Sequence, residues 1–134
     1  MPDDDRAREA ALTEAAFRIA NERMARWEER HAGGGGELYL CECASQPCRE
    51  RVPLTRDQYE AVRSDVRRFV IAPGHALPEL ETVIQAFPSH EVIEKPAALL
   101  ELLAETDPRE PRSGEATEVA QELADGLDAD PGST

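Results

Sequence analysis

Aromatic side chains are scarce in this chain of 134 residues, which has one Trp, two Tyr and three Phe, 4% of the total. Aromatics carry the largest apolar payload in a core. The core of this chain is therefore expected to be small and mostly aliphatic, and a single domain of that kind gains from a staple. Cysteine is scarce too, at three residues, and an odd count argues against a framework of disulfides. Long hydrophobic runs are missing. Without a stretch of roughly 18 apolar residues no membrane span and no membrane partner are expected, and the acidic N-terminus lacks the basic and apolar regions of a secretory signal. These features point to the cytoplasm, where thiols stay reduced. Cations are outnumbered: 15 Lys and Arg against 28 Asp and Glu give a net charge of -13. The excess is uneven, because residues 96–134 hold 10 acidic and 2 basic side chains. Overall acidity therefore does not exclude an anionic partner for the middle of the chain.

What is present is concentrated. All three cysteines fall between Leu40 and Arg51, in the run Leu-Cys-Glu-Cys-Ala-Ser-Gln-Pro-Cys-Arg-Glu-Arg. Zinc requires deprotonated soft ligands pointing at one centre. Cys41-X-Cys43 sets two sulfurs close together, and four residues with Pro47 let the chain curl back to present Cys48. Three thiolates on one ion leave excess negative charge, which a neutral histidine limits better than a fourth sulfur. His75, delivered by the Pro73-Gly74 turn, is the favoured fourth ligand, with His90 as its competitor; Arg49 and Arg51 stand near enough to balance the sulfurs. His31, at the end of the first helix, is assigned to that helix's negative end. Two other chemistries fit the cluster: an iron-sulfur centre, and a reactive Cys48 activated by Arg49.

Around this stretch the chain reads as α+β. Residues 3–31 form one helix, rich in Ala, Glu and Arg, with Phe17, Ala20, Met24 and Trp27 on one stripe and Leu12 and Ile19 broadening it. The stripe is read as packing within the domain, and it also offers a surface for a homodimer. Gly33–Gly36 is a hinge; it lacks the Lys-Ser/Thr and the following helix of a phosphate loop. Strands are expected over 37–41, 49–54, 68–72 and 90–94. Thr55 to Gln58 makes a capping box that starts a helix running to about Ser64. A second short helix is expected over 78–86, on the spacing of Leu80, Val83, Ile84 and Phe87. The resulting layout is an N-terminal helix (1–32), the hinge (33–36), and a zinc-stapled domain (37–95) with a sheet of three to four strands. A short helix (96–105) and a disordered acidic tail (106–134) complete it, the last on account of its Pro, Gly and carboxylates; within the tail Val119, Leu123 and Leu127 allow a weak amphipathic helix over 115–127, read as mostly unfolded when free.

Residues Phe17 to Arg23, Leu40 to Glu50, Leu54-Thr55, Tyr59 to Arg63, Arg68 to His75 and Val92 to Lys95 together resemble a group of short proteins from high-GC Gram-positive bacteria. These carry a CxC-x4-C motif followed by Pro-Gly-His. The likeness spans roughly residues 17 to 95, with the glycine run as an insertion. It implies a Cys3His zinc site at Cys41, Cys43, Cys48 and His75, and implies no activity.

No Ser-His-Asp set, phosphate loop or paired-carboxylate arrangement occurs at a workable spacing. The functional expectation is a non-enzymatic, zinc-stabilised interaction or regulatory module with a protein partner. A thiol or zinc redox sensor, or a small redox enzyme, is the alternative. A third reading is nucleic-acid binding through Arg49, Arg51, Arg56, Arg63, Arg67 and Arg68, a locally basic run.

Overall fold

The computed structural model describes residues 2–31, 38–110 and 112–129, with side chains over 4–27, 38–110 and 112–127. The glycine run and the side chain of His31 lie outside the described residues. Helix α1 (Pro2–His31) comes first, about 45 Å long at the helical rise. Strands β1 (Leu38–Leu40) and β2 (Arg51–Pro53) form an antiparallel hairpin in which Tyr39 faces Val52. Helix α2 (Arg56–Arg63) follows, then β3 (Arg68–Ile71), β4 (Thr82–Ala86) and β5 (Glu91–Glu94), which make an antiparallel sheet ordered β3-β5-β4. A 3-10 turn (Ala97–Leu99) leads into α3 (Leu100–Glu105), and α4 (Glu115–Ala129) closes the chain. The architecture is mixed α+β, with two small sheets where one was expected. They are joined where Glu42 N–H, just past β1, donates to Val70 O at 2.8 Å.

The capping box forms: Thr55 Oγ1 accepts from Gln58 N–H at 3.1 Å, and Gln58 Oε1 accepts from Thr55 N–H at 2.8 Å. It starts α2 where Tyr59 and Val62 turn inward. Tyr59 stacks on Tyr39 with ring centroids 4.3 Å apart, and Val52, Leu54, Phe69, Val70, Ile71, Val92, Ile93 and Leu103 complete the main core.

Two expectations are corrected. The helix expected over 78–86 is one turn, in which Leu80 and Glu81 N–H donate to Leu77 O, followed by strand β4. Three consecutive β-branched residues, Thr82, Val83 and Ile84, resist a helix and suit a strand. Val83 pairs with Ile93 and Gln85 with Val92, so Ile84 sits in a bulge. The bulge throws the alternation out of phase and imitates a helical spacing.

The tail over 106–134 is the other: residues 111 and 130–134 lie outside the described residues, and the rest is ordered, with a full helix where only a weak one was expected. Arg109 fixes its start through Glu22 at 2.8 Å and both oxygens of Glu60 at 2.9 and 2.7 Å, and α4 then lies along α1. Buried Ala120 and Ala124 meet Ala15, Ala16 and Ile19, with Leu123 and Leu127 beside them. Small side chains on both helices let the backbones approach closely, so alanines make the contact. Only Val119, Leu123 and Leu127 stand out as anchors in the sequence, which understates the interface.

The same packing answers for the stripe on α1. Phe17 and Ala20 are buried against Leu40, with Met24, Cys48 and Leu127 around them, while Trp27 is 54% exposed. Over the Phe17–Met24 stretch the stripe is internal. Among the described residues no helix is long and apolar enough to cross a membrane.

Charges are buried with partners. Arg18 lies 4.4 Å over the Phe69 ring and donates to Val66 O and Leu103 O at 2.7 and 3.1 Å. Lys95 Nζ, fully buried, lies 2.9 Å from Glu14 Oε1 and 2.7 Å from Glu81 Oε1. Burial pushes the Glu14 carboxyl well above the usual carboxylate range, against the pull of Lys95.

Candidate metal centre

The hairpin mouth is built by backbone bonds that leave the sulfurs convergent. Cys41 N–H donates to Glu50 O at 3.0 Å, extending the β1–β2 ladder by one rung, and Cys48 N–H donates to Ser45 O at 3.0 Å, closing the tight turn between the second and third cysteines. Beyond β3 the chain reverses at Pro73-Gly74. Gly74 sits at φ +85° with nothing near the place of a Cβ, so the left-handed backbone, not crowding, is what calls for glycine. His75 N–H then donates to Ala72 O at 3.2 Å, turning the imidazole toward the cysteines.

The structure brings Cys41, Cys43, Cys48 and His75 together: one ligand atom from each lies within 4.8 Å of all the others. His75 Nδ1 is 3.4 Å from Cys41 Sγ and 3.8 Å from Cys48 Sγ. Zn–S bonds near 2.3 Å and Zn–N bonds near 2.1 Å give S···N edges of about 3.6 Å in a tetrahedron, so this donor set fits one metal ion. Nδ1 is the nitrogen that would bind, because Nε2 faces Glu50 Oε2 at 3.3 Å. A carboxylate on the far ring nitrogen fixes the tautomer and raises the ligand's basicity. Cys41 and Cys43 are buried, whereas Cys48 and His75 are half-buried. A recess of about 240 Å³ opens beside them, lined by Cys43, Ala44, Ser45, His75 and Leu77.

Three thiols at this spacing share their protons unequally. Cys43 is drawn down to about 5, chiefly by the hydrogen bond from the Cys41 thiol and with help from the Ser45 N–H, while burial opposes. Cys41 is pushed up by that same bond and by burial, and Cys48 is pushed up by burial. The Cys41 sulfur also accepts from the Ala72 backbone N–H at 3.1 Å, and the backbone at Ser45 and Glu50 favours the thiolates of Cys43 and Cys48. These donors relieve negative charge where Arg49 and Arg51 were expected to do so. Arg49 donates to Gln46 O and Cys48 O at 2.6 and 2.8 Å, and Arg51 reaches Met24 Sδ at 3.6 Å.

His90, the competing ligand, is placed elsewhere. Its ring stacks on Phe87 at 4.8 Å and its Nδ1 is 2.8 Å from Ser89 Oγ. The six arginines do not form one face either. Arg63 is fully buried, with Nε 2.7 Å from Glu22 and another nitrogen on Asp107, so it cannot meet a phosphate. Arg67 and Arg68 lie 3.8 and 3.2 Å from Glu94, and Arg56 is exposed at the start of α2.

Two residues of the site escaped the sequence reading. Glu50 stands two positions after Cys48, within the cysteine stretch itself. Glu42, between two ligands on an extended segment, must point opposite to them by the period-two rule; that signal was in the sequence. No protein-family model, curated protein or solved structure matches the chain.

Proposed function

We propose that the chain is a non-enzymatic, zinc-stabilised interaction or regulatory module of the cytoplasm, acting on a protein partner. The observation that carries this reading is the convergence of three sulfurs and His75 Nδ1 within 4.8 Å. Such a set fills a tetrahedron and leaves no position for a substrate or an activated water. The ion would tie the hairpin mouth to the turn after β3, in a domain with few aromatics to hold it otherwise. Elemental analysis of the purified protein with its Cys48→Ser and His75→Ala variants tests the site. One zinc per chain, reduced in both variants, is expected. Metal content unchanged by His75→Ala would remove His75 from the ligand set; iron in place of zinc would turn the reading toward redox chemistry.

The half-buried Cys48 and the recess beside it favour a second reading, a thiol-zinc sensor. Hydrogen peroxide would accept two electrons from two of the thiolates and, with two protons, become two waters, leaving a disulfide and a released ion. Alkylation of the native protein separates the two readings. Thiols that react only after chelation belong to a structural site, and one fast thiol with metal retained belongs to a sensor.

A further inference from the structure

Glu42 is a fully buried carboxylate set between two thiols of the proposed metal centre. Burying a carboxylate is costly unless hydrogen bonds replace its water, and here they come from three separate elements. Val70 N–H of β3 donates to Oε1 at 3.1 Å, while Asn21 Nδ2 of α1 and Tyr59 Oη of α2 donate to Oε2 at 2.9 and 2.7 Å. The Glu42 N–H returns to Val70 O at 2.8 Å, so this residue is pinned to β3 by backbone and side chain together.

Asn21 extends the clamp by one more position. Its Oδ1 accepts from Leu40 N–H at 2.8 Å, and its Nδ2 donates to Leu40 O at 3.0 Å as well as to Glu42. A side-chain amide thus pairs with β1 as a neighbouring strand would. The residues on both sides of Cys41 are held by one side chain of α1. Because side chains alternate along an extended segment, fixing Glu42 on one side aims Cys41 and Cys43 to the other, toward Cys48 and His75.

We propose that Glu42 is the positioning residue of the metal centre, and that through Asn21 and Tyr59 metal binding and the seating of α1 and α2 on the hairpin form one coupled equilibrium. Glu42 touches no ligand set of its own; it acts through the direction of its neighbours. The coupling is reciprocal: the factor by which a seated α1 tightens the metal is the factor by which the metal tightens α1. The inference rests on the metal reading above and deepens it.

Glu42→Gln is the sharpest probe. The amide keeps the shape but supplies one acceptor and one donor where the carboxylate supplied two acceptors, so in either orientation at least one of the three donors loses its acceptor. Zn2+ affinity is measured by chelator competition, the ligand set by the absorption of the Co2+ form, and the seating of α1 by amide exchange over residues 17–24 with and without Zn2+. Zn2+ affinity is expected to fall about tenfold in Glu42→Gln, the usual size for loss of an outer hydrogen bond at a metal site. The Co2+ spectrum should stay that of the parent, and the protection of α1 by Zn2+ should shrink. Tyr59→Phe removes a single donor and should lose about threefold; it carries the test where Glu42→Gln does not fold. Affinity within twofold of the parent in the folded variants overturns the proposal, as does a Co2+ spectrum showing a changed ligand set, which would make Glu42 a ligand. Equal α1 exchange with and without Zn2+ in the parent also overturns it. A parent that binds neither Zn2+ nor Co2+ fails the metal reading itself, a result distinct from the others.

Discussion

At the hairpin mouth three soft, ionisable sulfurs meet an imidazole, Cys41 and Cys43 buried and Cys48 and His75 half-buried, with the Ala72 N–H donating to Cys41 Sγ. Under α1, Lys95 sits between Glu14 and Glu81 with all three side chains fully buried. Both clusters join elements far apart in sequence. The triad brings its own cation, so its strength is set when the chain folds. The thiol cluster has only one residue drawn toward the thiolate, Cys43, and three thiolates need an external cation to coexist. One junction carries its own charge balance; on the metal reading proposed above, the other would depend on a bound ion.

Lys95→Met should have the largest effect, because it leaves two carboxyls buried without their cation. A loss of about 3–5 kcal/mol is expected, a large part of a domain's total stability, read by urea unfolding with metal supplied. A loss below ~1 kcal/mol would show that the triad does not hold its junction. Chelation comes next. Removing zinc held at about 100 times its Kd forfeits about 2.7 kcal/mol, visible as a lower unfolding midpoint, and Cys48→Ser should make the midpoint insensitive to chelator. A parent whose midpoint ignores both zinc and chelator would erase the distinction. Glu50→Ala should weaken Zn2+ by about tenfold, roughly 1.4 kcal/mol, by freeing the His75 ring; competition titration measures it.

The smallest effect is a slope. Burial raises the Glu14 carboxyl above its ordinary 4.5, so the folded chain holds a proton that the unfolded chain has released. Stability from this group is complete below about 4.5 and is lost as pH climbs toward the raised value. Glu14→Gln should flatten that slope and cost under ~1 kcal/mol at neutral pH. An unchanged slope in urea midpoints across pH would show that Glu14 is ionised in the fold.

What could be read from the sequence was what short-range chemistry dictates. The capping box at Thr55, the strands around Tyr39, Phe69 and Val92, and the gathering of the three cysteines needed only local patterns; the choice of His75 over His90 leaned on the Pro-Gly-His turn and on the resemblance. The missed features depend on partners distant in the chain. β4 hid behind a bulge at Ile84 that mimics a helical period. Helix α4 was read only as a weak helix because its contact residues, Ala120 and Ala124, count as apolar anchors only once Ala15 and Ala16 are known to face them. Arg63 read as surface charge because Glu22 and Asp107, its partners, lie more than forty positions away on either side.

The spacing of the four ligands also orders their assembly. Cys41, Cys43 and Cys48 come together by closing one short loop, whereas His75 lies 27 positions beyond Cys48. Closing that longer loop costs about 1 kcal/mol more in chain entropy. During synthesis the three sulfurs leave the ribosome before β3 and the Gly74 turn exist. On the metal reading proposed above, an ion captured at that stage would rest on three sulfurs alone, and His75 would join it only once β3 and the turn after it are made.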